Sequence, residues 1–581
     1  MYKAIFLTLG LACSAVFSQI QEPYLSNQTY TWSQLIQEYQ KLDSLYPKYC
    51  SLESKGYSDF GELLHVFIIN KDGVFEKGKF EGKAVLMINN GIHPGEPEGI
   101  DAAIKLAKDL LQNPERIPQN VVIGIVPLYN IGGAHNRHCC SRANQNGPEA
   151  YGFRGSSKNM DLNRDFIKAD TKNTLAFYKI YQFLKPHVLI DTHTSNGADY
   201  QYTMTLITSQ TDKMTSTLRD YTLSKLNPAI YTAMADNNWP MIPYVTPYKQ
   251  IPDDGIVDYL ETPRYSTGYA NLFNTIGLVA ETHMLKPFKD RVEATYALFN
   301  QVILYMNAHH LELIQLKKDA EAEVAVQKEF GLEWTLDTTR FELIDFMGYE
   351  AEYSPSGVTG EKRLSYNQNK PFKKPVRYYN RYAVTKKTRA PRYYVIPQAW
   401  DFFVELYKMN EIQMYRLTVD IGLQVETYLI ANYETIPSPY EGHYMHYNVQ
   451  TVVDTMVVEF RKGDYVIPVT NKNARFIVET LEPQATDSYM TWNYFDAVLQ
   501  QKEWFSAYVF EDEAEEMLNS NPQLKAQFEK KKAADPEFAK DAAAQLYFIY
   551  KNSSHYEPTH NRYPVVRFND SFNVSQLIPV R

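Results

Sequence analysis

Cysteine and long apolar runs are what this 581-residue chain has least of. Its four cysteines are too few for a framework of disulfides, so the fold must depend on a hydrophobic core. Cys13 lies in the N-terminal segment, which leaves Cys50 and the adjacent pair Cys139 and Cys140. One disulfide between Cys50 and a member of that pair is possible, with one thiol left over.

An excess of basic charge is also missing. The 68 acidic residues outnumber the 59 basic ones, and the net charge of −9 argues against a nucleic-acid partner. There is no repeat of fixed period and no low-complexity linker. With 44% hydrophobic and 22% charged residues, the composition is that of a globular protein, and the length predicts two or three domains.

The N-terminus has the pattern of a secretory signal peptide over residues 1–18. Lys3 is followed by an apolar stretch from Ala4 to Phe17, and small-residue cleavage is expected before Gln19. The stretch is too short to span a bilayer, and no later segment is apolar enough to do so. We therefore expect a secreted or periplasmic protein without a membrane span.

Residues 19–320 alternate buried strands with amphipathic helices. Four apolar runs read as strands, at 84–88, 121–126, 188–191 and 277–281, and helical spacing follows the first of them from Ile100 to Leu111. This alternation predicts an α/β domain with a mixed, mostly parallel sheet covered by helices on both faces. A charged helix from Leu311 to Phe330 is expected to close it.

The composition changes beyond this helix. Residues 321–500 are rich in Tyr, Val and Thr and predict a β-rich accessory region, and residues 501–581 read as a helical C-terminal segment. Within the β-rich region, Val452–Phe460 and Tyr465–Val469 are predicted to pair as a hairpin across Lys462-Gly463-Asp464.

Metal-ligand residues follow two of the predicted strands. His93-Pro94-Gly95-Glu96 comes after the first, and His193 follows the strand that begins at Val188. Two histidines and a glutamate are the ligand set of many catalytic zinc sites, which leave a fourth position open for water. Because ligand sites in open α/β sheets lie at the carboxyl ends of strands, these side chains are expected to converge, together with Glu281 at the end of a third strand.

These residues resemble the M14 family of zinc carboxypeptidases. The family pattern is an HxxE motif, an Asn-Arg pair, a third His after a strand and a late catalytic Glu, and here it falls on His93 and Glu96, Asn163 and Arg164, His193, and Glu281. The resemblance covers about residues 25 to 310. It implies one Zn²⁺ per chain and a peptide substrate with a free C-terminal carboxylate.

The resemblance also implies roles for individual residues. Glu281 would act as general base and then general acid, and Asn163 and Arg164 would bind the terminal carboxylate of the substrate. Arg154, nine residues before Asn163, would stabilise the developing oxyanion. The family places a mobile Tyr between the third His and the Glu, and Tyr259, Tyr265 and Tyr269 all qualify.

The predicted activity is therefore that of an exported zinc carboxypeptidase, and the uncharged segment Ser266-Thr267-Gly268 favours neutral or apolar terminal residues. Two alternatives stay open. A muropeptide carboxypeptidase of the same fold would keep the metal and change the substrate, whereas a catalytically silent peptide- or glycan-binding protein would use the cleft without hydrolysis.

Overall fold

A mixed eight-stranded sheet is the centre of the computed structural model, which describes residues 22–580; the predicted signal peptide lies outside them. Residues 22–326 are called the α/β part below. Its strands are β1 (Cys50–Tyr57), β2 (Leu63–Ile69), β3 (Ala84–Asn89), β4 (Val121–Val126), β5 (Val188–Ser195), β6 (Met204–Thr208), β7 (Met241–Pro243), β8 (Thr246–Pro247), β9 (Ile256–Val257) and β10 (Ile276–His283). The sheet order is β1-β2-β4-β3-β5-β10-β6-β7. Its central strands β4, β3, β5 and β10 run parallel.

Helices of the first half of the chain pack against this sheet as the sequence predicts, and the last three helices form an apolar cluster of their own. The helices are α1 (Trp32–Leu45), α2 (Glu98–Gln112), α3 (Ile131–His135), α4 (Lys172–Leu184), α5 (Ser216–Tyr221), α6 (Asn227–Asp236), α7 (Ser266–Leu272), α8 (Phe288–Ala308), α9 (His310–Val326), α10 (Phe402–Met409), α11 (Ala474–Leu481), α12 (Ala507–Ser520), α13 (Pro522–Ala534) and α14 (Ala542–Tyr550). Strands β3 and β4 are buried along their whole length, which explains why their sequences are continuous apolar runs. The predicted α/β class is confirmed.

The rest of the chain forms smaller sheets. Its strands are β11 (Glu329–Leu336), β12 (Glu342–Pro355), β13 (Lys362–Tyr379), β14 (Tyr382–Arg389), β15 (Tyr393–Ile396), β16 (Tyr415–Leu417), β17 (Ile421–Thr435), β18 (His446–Phe460), β19 (Tyr465–Pro468), β20 (Val566–Phe568) and β21 (Leu577–Pro579). Seven of them form one sheet in the order β18-β17-β20-β15-β19-β16-β21. The final segment is therefore not wholly helical, because β20 and β21 return to this sheet after α14.

The predicted hairpin between residues 452–460 and 465–469 is wrong. Strand β18 pairs along its length with β17, whereas β19 pairs with β15 and β16. The difference in burial explains the separation, since β19 is almost wholly buried at the middle of the sheet and much of β18 is exposed. The chain does turn at Gly463, where φ is +101°, but it turns away from β18.

The predicted disulfide from Cys50 is also corrected. Cys139 and Cys140 are bonded to each other, and Cys50 is a free, buried thiol. The Cys50 sulfur packs against the end of α1, with its Sγ 3.4 Å from the carbonyl oxygen of Tyr46. It is therefore enclosed in the core, while Cys139 and Cys140 lie in an exposed loop.

The apolar core is continuous between the α/β part and the chain that follows it. One cluster of buried side chains includes Leu35 on α1 and Ile190 on β5, and also Trp492 and Tyr563. Strand β9 of the α/β part pairs with β13. Across residues 22–580, no helix combines the length and apolar character needed to cross a membrane.

Candidate active site

The loop between β3 and α2 brings His93 and Glu96 together. The amide of Glu96 donates a hydrogen bond to the carbonyl oxygen of His93 at 2.9 Å, which closes a tight turn. Proline at the second position of that turn supplies the φ that such a turn requires. Gly95 follows, and a Cβ there would lie 3.0 Å from the carbonyl oxygen of Gly152, so a larger residue would crowd the neighbouring loop.

The donor groups of three side chains form a small triangle at this point. The Nδ1 atoms of His93 and His193 are 3.1 Å apart, the Nδ1 of His193 is 3.1 Å from Oε2 of Glu96, and the Nδ1 of His93 is 3.3 Å from Oε1 of Glu96. Ligands at about 2.0–2.1 Å from a tetrahedral zinc ion lie roughly 3.3 Å from one another. The donor types and their spacing therefore fit zinc, and within residues 22–580 this is the only such His/Cys/Asp/Glu cluster.

A carboxylate supports each histidine from behind. His93 Nε2 lies 2.9 Å from Oδ1 of Asp161, and His193 Nε2 lies 3.0 Å from Oδ2 of Asp191. A carboxylate accepts hydrogen bonds, so each Nε2 carries the proton and each Nδ1 presents a lone pair to the centre of the triangle. Such partners fix the tautomer and the ring orientation of metal-binding histidines.

Glu281 lies on the strand next to the one that carries His193. Strands β10 and β5 are parallel neighbours, and their register pairs Glu281 directly with His193. Glu281 is the one partly exposed side chain of β10, and it lines the cleft above the triangle. Burial raises the pKa of its carboxyl to about 8, although the nearby His193 acts in the opposite direction.

Asn163 and Arg164 lie in a short 3-10 helix, Leu162–Arg164, that Asp161 caps. Oδ1 of Asp161 accepts a hydrogen bond from the amide of Asn163 at 2.9 Å. Nη1 of Arg164 donates to the carbonyl oxygen of Asn163 at 2.8 Å, which turns the guanidinium back toward the cleft that both residues line. The structure thus brings the predicted carboxylate-binding pair and the donor triangle into one cleft.

Arg154 reaches the same cleft from the preceding loop. Its Nε and Nη2 atoms donate to Oδ2 of Asp161 at 3.1 and 2.8 Å, and its Nη1 lies 3.3 Å from Nδ1 of His93. Burial raises the pKa of Asp161, but its hydrogen bond with His93 and the charges of Arg154 and Arg164 outweigh that effect and hold the pKa well below its ordinary value. Asp161 is therefore ionised. It links three predicted site residues: the zinc ligand His93, the oxyanion-stabilising Arg154 and the substrate-binding Arg164.

Arg142 is a cleft residue that the sequence did not reveal. Its Nη1 donates to Oε1 of Glu96 at 2.7 Å, and its Nη2 donates to the carbonyl oxygen of Thr194 at 2.7 Å. Its side chain is only 16% exposed, compared with 45% for Arg154. No motif surrounds Arg142 in the sequence, and only its contact with a predicted metal ligand singles it out.

The three tyrosine candidates differ in position: two line the cleft and the third is buried. Tyr259 and Tyr265 line the cleft with their rings 5.4 Å apart, and Arg164 stacks over the ring of Tyr265 at 4.4 Å. Tyr269 is fully buried in α7, where it stacks on Tyr178. The prediction that Tyr269 could close over a substrate is therefore corrected, because its helical position directs the ring into the core.

Part of the cleft lining is uncharged. The cleft has a volume of about 310 Å³, and its lining includes Ile207, Tyr244, Thr267 and Val279. An apolar lining next to a cationic end suits a substrate that has both an uncharged side chain and a carboxylate. Tyr244, like Arg142, was not identified from the sequence.

Comparison with known proteins agrees with this arrangement. Residues 35–262 match the family model of the M14 peptidases, described as zinc carboxypeptidase. That range includes the donor triangle, Arg154, Asn163, Arg164 and Tyr259, but it ends before Glu281. Over 448 residues, which are 71% of this chain and 74% of the relative, the sequence is 21% identical to Carboxypeptidase 2 of Trichophyton equinum.

Solved structures similar to this chain carry similar descriptions. A metallo-carboxypeptidase from Burkholderia cenocepacia is 13% identical, with a TM-score of 0.35 over 48% of this chain and 70% of that one. A metallo-carboxypeptidase from Pseudomonas aeruginosa is 12% identical, with a TM-score of 0.36 over 49% of this chain and 70% of that one.

The matched range contains His93, Glu96 and His193, whose donor atoms lie together in the cleft. Residues 35–262 thus carry this chain's match to the M14 family of zinc carboxypeptidases.

Proposed function

We propose that the protein is an exported metallocarboxypeptidase that removes the C-terminal residue of peptides, with one zinc ion per chain held by His93, Glu96 and His193. The observation that carries this proposal is the presence in one cleft of the donor triangle and the guanidinium of Arg164. The triangle supplies a place for hydrolysis, and the guanidinium selects the end of a peptide chain.

The proposed chemistry divides between the metal and Glu281. Zinc in such a site supplies Lewis acidity, which polarises a carbonyl and lowers the pKa of water. Glu281 takes the proton from the attacking water and delivers it to the amine that leaves. A carboxyl whose pKa is raised toward neutrality can do both, and burial raises the pKa of Glu281.

Substrate recognition is assigned to Arg164 and Asn163 together with the uncharged lining of the cleft. A guanidinium matches a carboxylate in two parallel hydrogen bonds, and Arg164, with Asn163 beside it, is placed to make such a contact. Arg154 and Arg142 lie next to the donor atoms, where cationic donors stabilise the oxyanion of the transition state. The uncharged lining at Ile207, Thr267 and Val279 favours neutral or apolar terminal side chains.

Export is proposed from the N-terminal pattern alone. If residues 1–18 are removed on secretion, the mature chain begins at Gln19. N-terminal sequencing of protein recovered outside the cytoplasm tests this part independently of activity.

The test of the activity is hydrolysis of a panel of short peptides by the mature, zinc-loaded protein. Each peptide is offered as the free acid and as the C-terminal amide, with and without a zinc chelator. We expect stepwise release of terminal residues from the acids only, abolished by the chelator, and fastest for neutral or apolar side chains.

Glu281→Gln is the diagnostic variant. It should retain zinc and lose about 10²–10⁴ in kcat, the range typical of general acid–base catalysis. Glu333→Gln, on the partly exposed face of β11 and outside the cleft, is the matched control and should leave the rate unchanged. A zinc-loaded protein that leaves every peptide intact would contradict the peptide assignment, and muropeptides would be tested next. A chain that binds no zinc would favour the binding-protein alternative.

A further inference from the structure

A hairpin tip from the C-terminal half of the chain reaches the carboxylate-binding end of the cleft. This tip comprises residues 436–445, between β17 and β18. Tyr440 and His443 exchange backbone hydrogen bonds at 2.8 and 3.0 Å, which closes a two-residue turn. Glu441 and Gly442 form that turn with φ of +51° and +87°, as a type I′ hairpin turn requires.

Two consecutive residues of the tip bind the segment that carries Arg164. The hydroxyl of Tyr440 accepts a hydrogen bond from Nε of Arg164 at 2.9 Å. The carboxylate of Glu441 accepts one from the backbone amide of Asp161 at 2.7 Å. The sequence separation between the partners is about half of the chain, so these contacts exist only because the two halves pack together.

The tip is itself held firmly against the α/β part. His443 Nε2 lies 2.8 Å from Oδ2 of Asp170, just after the Arg164 segment. The ring of Tyr440 stacks near that of the buried Trp492, at 6.4 Å and 19°. Arg264 lies over both rings and forms an ion pair with Asp487 at 2.6 Å. The position of the Tyr440 hydroxyl is thus determined on several sides.

These contacts orient the guanidinium of Arg164. Nε is bound by Tyr440 and Nη1 by the carbonyl oxygen of Asn163, while the ring of Tyr265 lies against its face. A planar, bidentate contact with a carboxylate depends on the direction of the guanidinium plane as well as on its charge. With Nε and one face occupied, Nη2 has no protein hydrogen-bond partner among the described residues, and Arg164 lines the cleft.

We propose that Tyr440 is a positioning residue for substrate-carboxylate recognition, so that the C-terminal half completes the active site rather than serving as a separate accessory region. This inference rests on the proposed function, because it assumes that Arg164 binds the terminal carboxylate. Tyr440 acts through Arg164 and does not contact the donor triangle. Its loss should therefore weaken binding of a terminal carboxylate and leave the chemical step largely intact.

The variant is Tyr440→Phe, which removes the hydroxyl and keeps the ring that packs near Trp492. Tyr444→Phe is the matched control, because Tyr444 lies in the same hairpin tip and its side chain is exposed. The readout is calorimetric binding of an N-acetylated dipeptide ending in phenylalanine, and of its C-terminal amide, to zinc-loaded protein. Both variants are made in the Glu281→Gln background, so that binding is measured without turnover.

We expect Tyr440→Phe to weaken binding of the acid about tenfold and to leave binding of the amide unchanged, because the guanidinium of Arg164 is no longer held in one direction. The lost hydrogen bond to a charged group should lower the melting temperature, so binding is measured well below it. Tyr444→Phe should match the parent. With Glu281 present, KM for the acid should rise by a similar factor while kcat changes less than twofold. In the Arg164→Ala background, Tyr440→Phe should have no further effect on the acid.

The outcomes separate the inference from the proposed function. Equal loss for acid and amide, no loss for either, or an undiminished effect without Arg164 would overturn the positioning role alone. If the parent protein itself binds acid and amide equally well, carboxylate recognition is wrong, and both the proposed activity and this inference are overturned.

Discussion

Replacing Asp191 with asparagine should weaken zinc binding while preserving the shape of the site. Asp191 is fully buried, and its Oδ2 accepts hydrogen bonds from Nε2 of His193 at 3.0 Å and from the hydroxyl of Ser266. Its Oδ1 accepts from Nδ2 of Asn89 at 3.3 Å. The Oδ1 of Asn89 has no hydrogen-bond partner among the described residues. The side-chain amide of Asn89 can therefore rotate by half a turn, so that its Oδ1 accepts a hydrogen bond from the amide nitrogen introduced at position 191. The substitution therefore removes a negative charge and retains the hydrogen bonds.

The expected magnitude follows from that lost charge. A hydrogen bond to an ionised acceptor is roughly twice as strong as a neutral one, and substitution of such supporting carboxylates typically costs about 10- to 100-fold in metal affinity. The corresponding free energy of zinc binding is roughly 1.4–2.7 kcal/mol. We expect the zinc dissociation constant of Asp191→Asn to rise by that factor, because His193 becomes a less basic ligand.

The assay is competitive zinc titration of the purified protein against a chelating dye. Asp199→Asn is the control, since Asp199 is also buried but forms an ion pair with Lys286 at 3.2 Å and supports no predicted ligand. The reasoning is refuted if Asp191→Asn binds zinc within threefold of the parent, or if Asp199→Asn loses as much affinity as Asp191→Asn does.

Further outcomes are expected for pH and for the tyrosines. Burial raises the pKa of Asp258 to about 7, so between about pH 4 and 7 the folded state holds a proton that the unfolded state has lost, and stability falls as pH rises, by about 1.4 kcal/mol per pH unit. Asp258→Asn should flatten this slope in thermal unfolding between about pH 4 and 7, and a slope equal to that of the parent would contradict the assignment. Tyr259→Phe should change kcat or KM and leave the melting temperature near that of the parent, whereas Tyr269→Phe, which loses a buried hydrogen bond to Asn410, should lower the melting temperature and leave peptide kinetics unchanged. The reverse pattern would reassign the mobile tyrosine.

Much of the α/β part could be predicted because its strands and helices are encoded locally. The runs at 84–88 and 121–126 are continuous apolar segments, and the structure places strands there. Glu281 and His193 were expected to meet because both end strands of one sheet, and they occupy paired positions in β10 and β5. The metal motif was recognisable because its residues must come within a few ångströms of one another, and a short turn achieves this for His93 and Glu96.

The β-rich half was predicted less well, because strand pairing depends on partners that are distant in the sequence. Tyr465–Pro468 follows β18 after a short turn, yet its fully apolar pattern suits the middle of a sheet, next to β15 and β16. A local turn signal could not reveal that choice. Cys50 shows the same limit, because only the packing of the core encloses its thiol beside α1, far from Cys139 and Cys140 in the sequence.

The sequence by itself determined the fold class of the first half and indicated the His-Glu-His donor set, because both depend on residue types at short spacing or at the ends of apolar strands. The role of Asn163 and Arg164 was implied only by the resemblance to the M14 family. The tertiary structure alone decided that Arg142 contacts Glu96, that Tyr269 lies in the core, and that Tyr440 binds Arg164. The physical reason is that these contacts join segments whose approach is determined by packing of the whole core, and no local pattern of side chains records which distant segment will arrive.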